Sequence, residues 1–117
     1  MSIFPIAFDK TFKLDLPSGH RFPMNKYKLL PEKIINSGTA FKIDFFKPTL
    51  PKKKDILITH EKKYLNKLLN LNLDKSEVRK IGFPLSSDLI KRELLIAGGT
   101  IQGSIKSIKY GVSMNIA

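Results

Sequence analysis

The stretch AGGTIQGSIKSIKYGVSMNIA (97–117) limits the folds open to this chain more than any other. Its first part keeps helical apolar spacing as far as Tyr110. Gly111 then closes that helix, and Val112–Ala117 alternates like a half-buried strand. Gly98, Gly99 and Gly103 lie inside the helix, where each costs roughly 1 kcal/mol relative to Ala. A helix tolerates such residues where its backbone must lie close against another surface, and a sheet is the surface expected. The helix is read as starting at a cap on Ser86 or Ser87, with Leu94, Ala97, Ile101, Ile105 and Ile108 as its buried stripe.

The preceding segments fit the same plan. Residues 3–8, IFPIAF, read as a first strand, which Pro5 confines to an early or edge-tolerant place. After the turn-rich LPSGHRFP (16–23), Tyr27, Leu30, Ile34 and Ile35 recur at helical spacing. Pro31 is expected to interrupt that helix or open a second segment, and Gly38 to cap it. AFKIDFF (40–46) alternates as a second strand, with Phe41, Ile43 and Phe45 inward and Asp44 at the surface. One or two helices follow, with a stripe of Ile56, Leu57, His60, Tyr64, Leu65 and Leu68 and a Thr59 cap for a start at His60; a short helical turn is expected around Glu77–Arg79. This order predicts an α/β fold, a parallel sheet flanked by helices, in a single partial domain over 1–117.

Composition excludes several classes of function. There is no cysteine, hence neither a disulfide framework nor a thiolate zinc site. The sequence has neither a run of 18 apolar residues nor a secretory leader pattern, so a cytoplasmic protein with no membrane partner is expected. The net charge of +11 invites a nucleic-acid reading, but only Arg21, Arg79 and Arg92 are arginines among the 21 basic residues. Scattered lysines offer mobile point charges and not the planar fork that grips phosphate and base edges, so the residues argue against nucleic acid.

No stretch carries an active site by itself. GGTIQGSIK (98–106) spaces two glycines like a phosphate loop, but Ser104 stands where that loop needs Lys, and the setting is a helix. His20 and His60 have no second ligand at helical or strand spacing, and His60 reads as a structural histidine at a helix start. GHRFPMNKY (19–27) sets His20-Arg21 in a turn beside Phe22, Pro23 and Met24; a carboxylate site and a plain structural turn are both open.

Five segments in order carry a resemblance. LPSGHRFPMNKYKLLPEKI (16–34), a strand, DILITHEKKYLNKLL (55–69), RKIGFPLSS (79–87) and AGGTIQGSIKSIKYGVSMNIA (97–117) together resemble the N-terminal part of histone-deacetylase-like amidohydrolases. That family includes acetoin-utilisation proteins and acetylpolyamine amidohydrolases, and the likeness is greatest to its bacterial class-IV-like branch. The resemblance implies the N-terminal part of an arginase/deacetylase-like fold, incomplete here. It also implies zinc-dependent hydrolysis of acyl-lysine or of a small acylated amine. In such enzymes the strand matching Val112–Ala117 leads into a Gly-Gly-x-His-His loop, and the Asp and His zinc ligands come later.

By resemblance, Arg21 lines an acetate cavity beside His20, and Phe22 and Pro23 border the substrate channel. Phe83 falls in the loop where many relatives hold substrate with an acidic residue, which is absent from Gly82-Phe83-Pro84. The expectation is therefore a chain that is inactive alone, with no catalytic or metal-binding residue and zinc only in a complete relative. Its expected partner is the missing C-terminal part of the domain, with self-association through an exposed sheet edge as a further outcome. Half of a two-chain deacetylase, or a basic binding module on a retained fold, are the alternatives.

Overall fold

The computed structural model describes residues 3–117. Three very short strands, β1 (Ile6–Ala7), β2 (Phe45–Phe46) and β3 (Met114–Asn115), form a parallel sheet in the order β2-β1-β3. The helices are α1 (Lys26–Asn36), α2 (Lys53–Ile56), α3 (Lys62–Leu69), α4 (Lys75–Ile81) and α5 (Ser87–Tyr110).

The first strand is central, not at an edge. Pro5 is tolerated because it stands just before the pairing, where only its carbonyl is used, as acceptor for the Met114 N–H at 2.8 Å. Ser86 caps α5 by accepting from the Leu89 N–H, and Gly111 ends it at φ +86°. Helix α4 has a reciprocal cap between Asp74 and Glu77 and stops at the left-handed Gly82.

Helix α5 lies on the sheet along its glycine face. A Cβ on Gly98 would overlap the Thr49 carbonyl oxygen, and one on Gly99 would meet Ala7 Cβ at 3.1 Å and Asn115 Nδ2 at 3.0 Å. The close approach brings the polar side of β3 to the helix. Asn115 Nδ2 donates to the Ile96 carbonyl at 2.9 Å, and Ser113 Oγ to that of Gly103 at 2.6 Å. On the other sheet face Ile6, Ile116 and Ala40 pack with Ile34 of α1. Helices thus cover both faces, as expected of an α/β sheet.

The buried stripe of α5 differs from the expected one. Leu89, Ile90, Arg92, Leu95 and the three glycines are buried, whereas Ile105 and Ile108 are 63% and 87% exposed. Two helices depart in detail. Helix α1 runs unbroken through Pro31, α3 starts at Lys62 without a side-chain cap, and His60 is exposed in the preceding turn.

Residues 40–46 are also not one strand. Lys42–Asp44 form a 3-10 turn, Phe41 and Ile43 face solvent, and Asp44 is buried. Its carboxylate accepts from the Phe41 N–H at 2.7 Å and the Phe4 N–H at 2.9 Å, which turns it inward and reverses the alternation.

Candidate functional site

Because β3 runs parallel to β1 and follows α5 directly, α5 runs antiparallel to the strands. Its N-terminal half therefore stands over their carboxyl ends, the side where open parallel sheets place their ligands. The chain leaves β1 there through Phe8 and Asp9 into a 3-10 turn, Lys10–Phe12. Phe12, Leu14, Met24, Tyr27, Leu89 and Leu95 build the larger core on this side.

Two loops meet on that core. His20 Nε2 lies 3.0 Å from the Gly82 carbonyl, 62 residues away, while Nδ1 accepts the Phe22 N–H at 3.2 Å. That pairing fits the tautomer that carries its proton on Nε2. Phe83 joins the loops through its ring, 5.6 Å from His20 and edge-on to Phe22 at 5.1 Å. Phe22 in turn stacks on Tyr27 at 6.4 Å.

A buried arginine sits under these rings. Arg92, 3% exposed, places its guanidinium 5.1 Å from the Tyr27 ring centre and 5.7 Å from that of Phe83. Its Nε donates to the Phe12 carbonyl at 2.6 Å and its Nη1 to Glu93. On the outer side, Lys26 Nζ lies 5.0 Å from both the Phe22 and Tyr27 rings. The result is an aromatic box with one cation inside and one at its rim.

The structure brings together His20, Phe22 and Phe83, three of the residues singled out from sequence. Arg21 and Pro23 stand exposed on the same loop, and among the described residues Arg21 makes no ion pair. Tyr27 and Arg92 were missed as site residues. Arg92 is one of only three arginines, and its three-residue spacing from both Leu89 and Leu95 was the available signal.

Asp9 is a buried acid just past the carboxyl end of β1. Burial opposes its ionisation, but the Thr11 hydroxyl at 2.7 Å and Thr11 N–H at 2.8 Å, with Lys47 and Lys91, hold it below the ordinary carboxylate range. All of this anchors the turn after β1. Among the described residues no three His, Cys, Asp or Glu side chains gather where they could hold a metal ion. Nor is any described helix long and apolar enough to cross a membrane.

No family model matches the sequence. Over 114 residues the chain is 29% identical to an uncharacterized protein of Picosynechococcus sp. strain PCC 7002. The match takes in 97% of this chain but only 38% of that protein, so the chain spans well under half the length of its relative.

Proposed function

We propose that this chain is the N-terminal, non-catalytic part of a zinc-dependent deacetylase-family amide hydrolase acting on acyl-lysine or a small acylated amine. In this reading it supplies the first three strands of an arginase/deacetylase-like sheet and two loops that wall the substrate entrance. The observation that carries the reading is the meeting of the His20–Phe22 loop with Gly82–Phe83 over the carboxyl ends of the parallel strands. The relative's greater length is in keeping with it.

Phe22 and Phe83 are the apolar wall, His20 ties the two loops, and Arg92 stiffens the floor beneath them. Arg21 and Pro23 extend the wall outward on the same loop. No proton transfer or metal step is assigned to this chain. Its partner is the remaining part of the domain, which would pair with an edge of the sheet.

The test starts with the coding sequence past the Ala117 codon. A Gly-Gly-x-His-His stretch and later Asp and His ligands are expected there, in the same or a shifted frame. Co-expressed with that polypeptide, the chain should give zinc-dependent release of acetate from an acetyl-lysine peptide or an acetylated polyamine. The chain alone should give buffer-level rates. A downstream sequence without those ligands, or turnover by the chain alone, overturns the proposal.

A further inference from the structure

A groove of about 410 Å³ runs between helix α1 and the turn that leaves β1. Its floor is apolar. Tyr27, Pro31 and Ile35 recur every fourth residue along one side of α1, and Phe8 meets them from the end of β1. Tyr27 and Pro31 are buried and Phe8 and Ile35 half-buried, so the core holds this floor in place. From Tyr27 to Ile35 the groove follows α1 for about 12 Å, at 1.5 Å of rise per residue.

Positive charge gathers at one end. The 3-10 turn meets the start of α1 where the Phe12 ring stands edge-on to Tyr27 at 6.4 Å, and this sets Lys10 and Lys13 beside Lys28. All three lysines are exposed and line the groove with their stems, which leaves the ammonium groups at its rim. Among the described residues none of the three makes an ion pair or lies on a ring. Lys10 and Lys13 also border a second hollow that holds Asp15, Asp88 and Lys91, but they pair with neither acid. Glu32 is the acid of the groove lining, one turn beyond Lys28 toward Ile35.

Three unpaired cations at one end of a long apolar floor suit a ligand with one anionic end and one apolar end. The lysine end also lies just past the carboxyl end of β1, the side on which open parallel sheets hold ligands. We propose that this groove binds a medium-chain aliphatic carboxylate as a free small molecule. Its carboxylate sits among Lys10, Lys13 and Lys28, and its chain runs past Pro31 toward Ile35. The groove shares only Tyr27 with the aromatic box under the two loops, so the site stands whether or not the deacetylase reading holds.

The probe is octanoate, added below its micelle concentration to the isotope-labelled full chain and followed by heteronuclear NMR. Amide signals of Phe8, Lys10, Lys28 and Ile35 should shift and saturate. Octylammonium has the same chain with the opposite charge, and butyrate the same head with a shorter chain. Each should bind more weakly than octanoate by about tenfold or more, since each lacks one of the two attractions. Lys10→Gln with Lys28→Gln should weaken octanoate binding about tenfold, the scale of losing two surface ion pairs. Glu32→Gln removes the opposing charge and should strengthen it by about twofold or more. These positions are exposed, so circular dichroism should show both variants folded as the parent. Absence of saturable shifts at the groove, or shifts centred on α3 and α5 instead, would overturn the proposal. So would equal binding of octylammonium, or octanoate binding untouched by the double substitution.

Discussion

The Phe4 N–H donates to Asp44 Oδ1 at 2.9 Å, tying the start of the first strand to a turn forty residues later. With the Phe41 N–H on the other oxygen at 2.7 Å, the carboxylate closes the turn that delivers Phe45 and Phe46 to β2. Backbone donation from Phe41 and then Phe4 outweighs burial and lowers the Asp44 pKa. A depressed folded value means that Asp44 stabilises the fold at neutral pH. Its contribution begins to fade below the unfolded value of about 3.9 and is lost as pH falls through the folded value. Asp44→Asn should lower the melting temperature at pH 7 and flatten the loss of stability as pH falls below about 4. Parallel stability–pH curves for parent and variant would sink this account.

The glycines of α5 should respond differently to alanine. At Gly98 the obstacle is backbone, the Thr49 carbonyl, on a segment that Gln102 also holds through the Thr49 N–H at 3.0 Å. At Gly103 the nearest atom is Ser113 Oγ at 3.1 Å, the end of a small side chain. Alanine gains roughly 1 kcal/mol of helix propensity at either place. Overpacking against fixed backbone costs about 1–3 kcal/mol. Urea unfolding should therefore show Gly98→Ala clearly destabilised and Gly103→Ala within about 0.5 kcal/mol of the parent. The reverse ranking would mean that α5 does not lie on the sheet as described.

Arg92 separates a polar contribution from a packing one. Arg92→Met keeps an apolar stem between Tyr27 and Phe83 but strips the Phe12 carbonyl of its donor. An unsatisfied buried acceptor costs about 1–3 kcal/mol, and a loss of that size is expected in urea unfolding. Arg92→Lys keeps the charge without the planar stacking and should also fall below the parent. A Met variant as stable as the parent would show that the hydrogen bond to Phe12 adds nothing net.

Backbone punctuation was readable from residue types. Ser86, Gly38 and Gly111 stop or start helices through local chemistry, which depends on few neighbours. The three glycines of α5 announced a close approach before any partner surface was known. Which side of α5 is buried was not readable, because hydropathy gives weight to isoleucine and none to glycine. In the C-terminal half of α5 the buried face was the one with least side chain, and Ile101, Ile105 and Ile108 stood opposite. The alternation of 40–46 misled for a related reason: two backbone donors draw the Asp44 side chain inward, and periodicity does not register that. At the site, His20 and Phe22 were marked by their turn as well as by resemblance, and Phe83 by resemblance alone. Arg92 looked like an ordinary helix-surface charge until Phe12 and the two rings were placed around it.

The loop junction gives the last contrast. His20 and Arg21 are adjacent, but only His20 is engaged, through Gly82 and the Phe22 N–H. His20→Ala removes both bonds and the ring beside Phe83, and a loss of about 1 kcal/mol is expected from the hydrogen bonds. Arg21→Ala alters an exposed side chain and should stay within about 0.5 kcal/mol of the parent. Proton–proton contacts between the Phe22 and Phe83 rings, read by NMR, should weaken in the His20 variant and persist in the Arg21 variant. If Arg21→Ala loosens the rings as much as His20→Ala, the junction is held by a contact of Arg21, and the roles of the two residues must be exchanged.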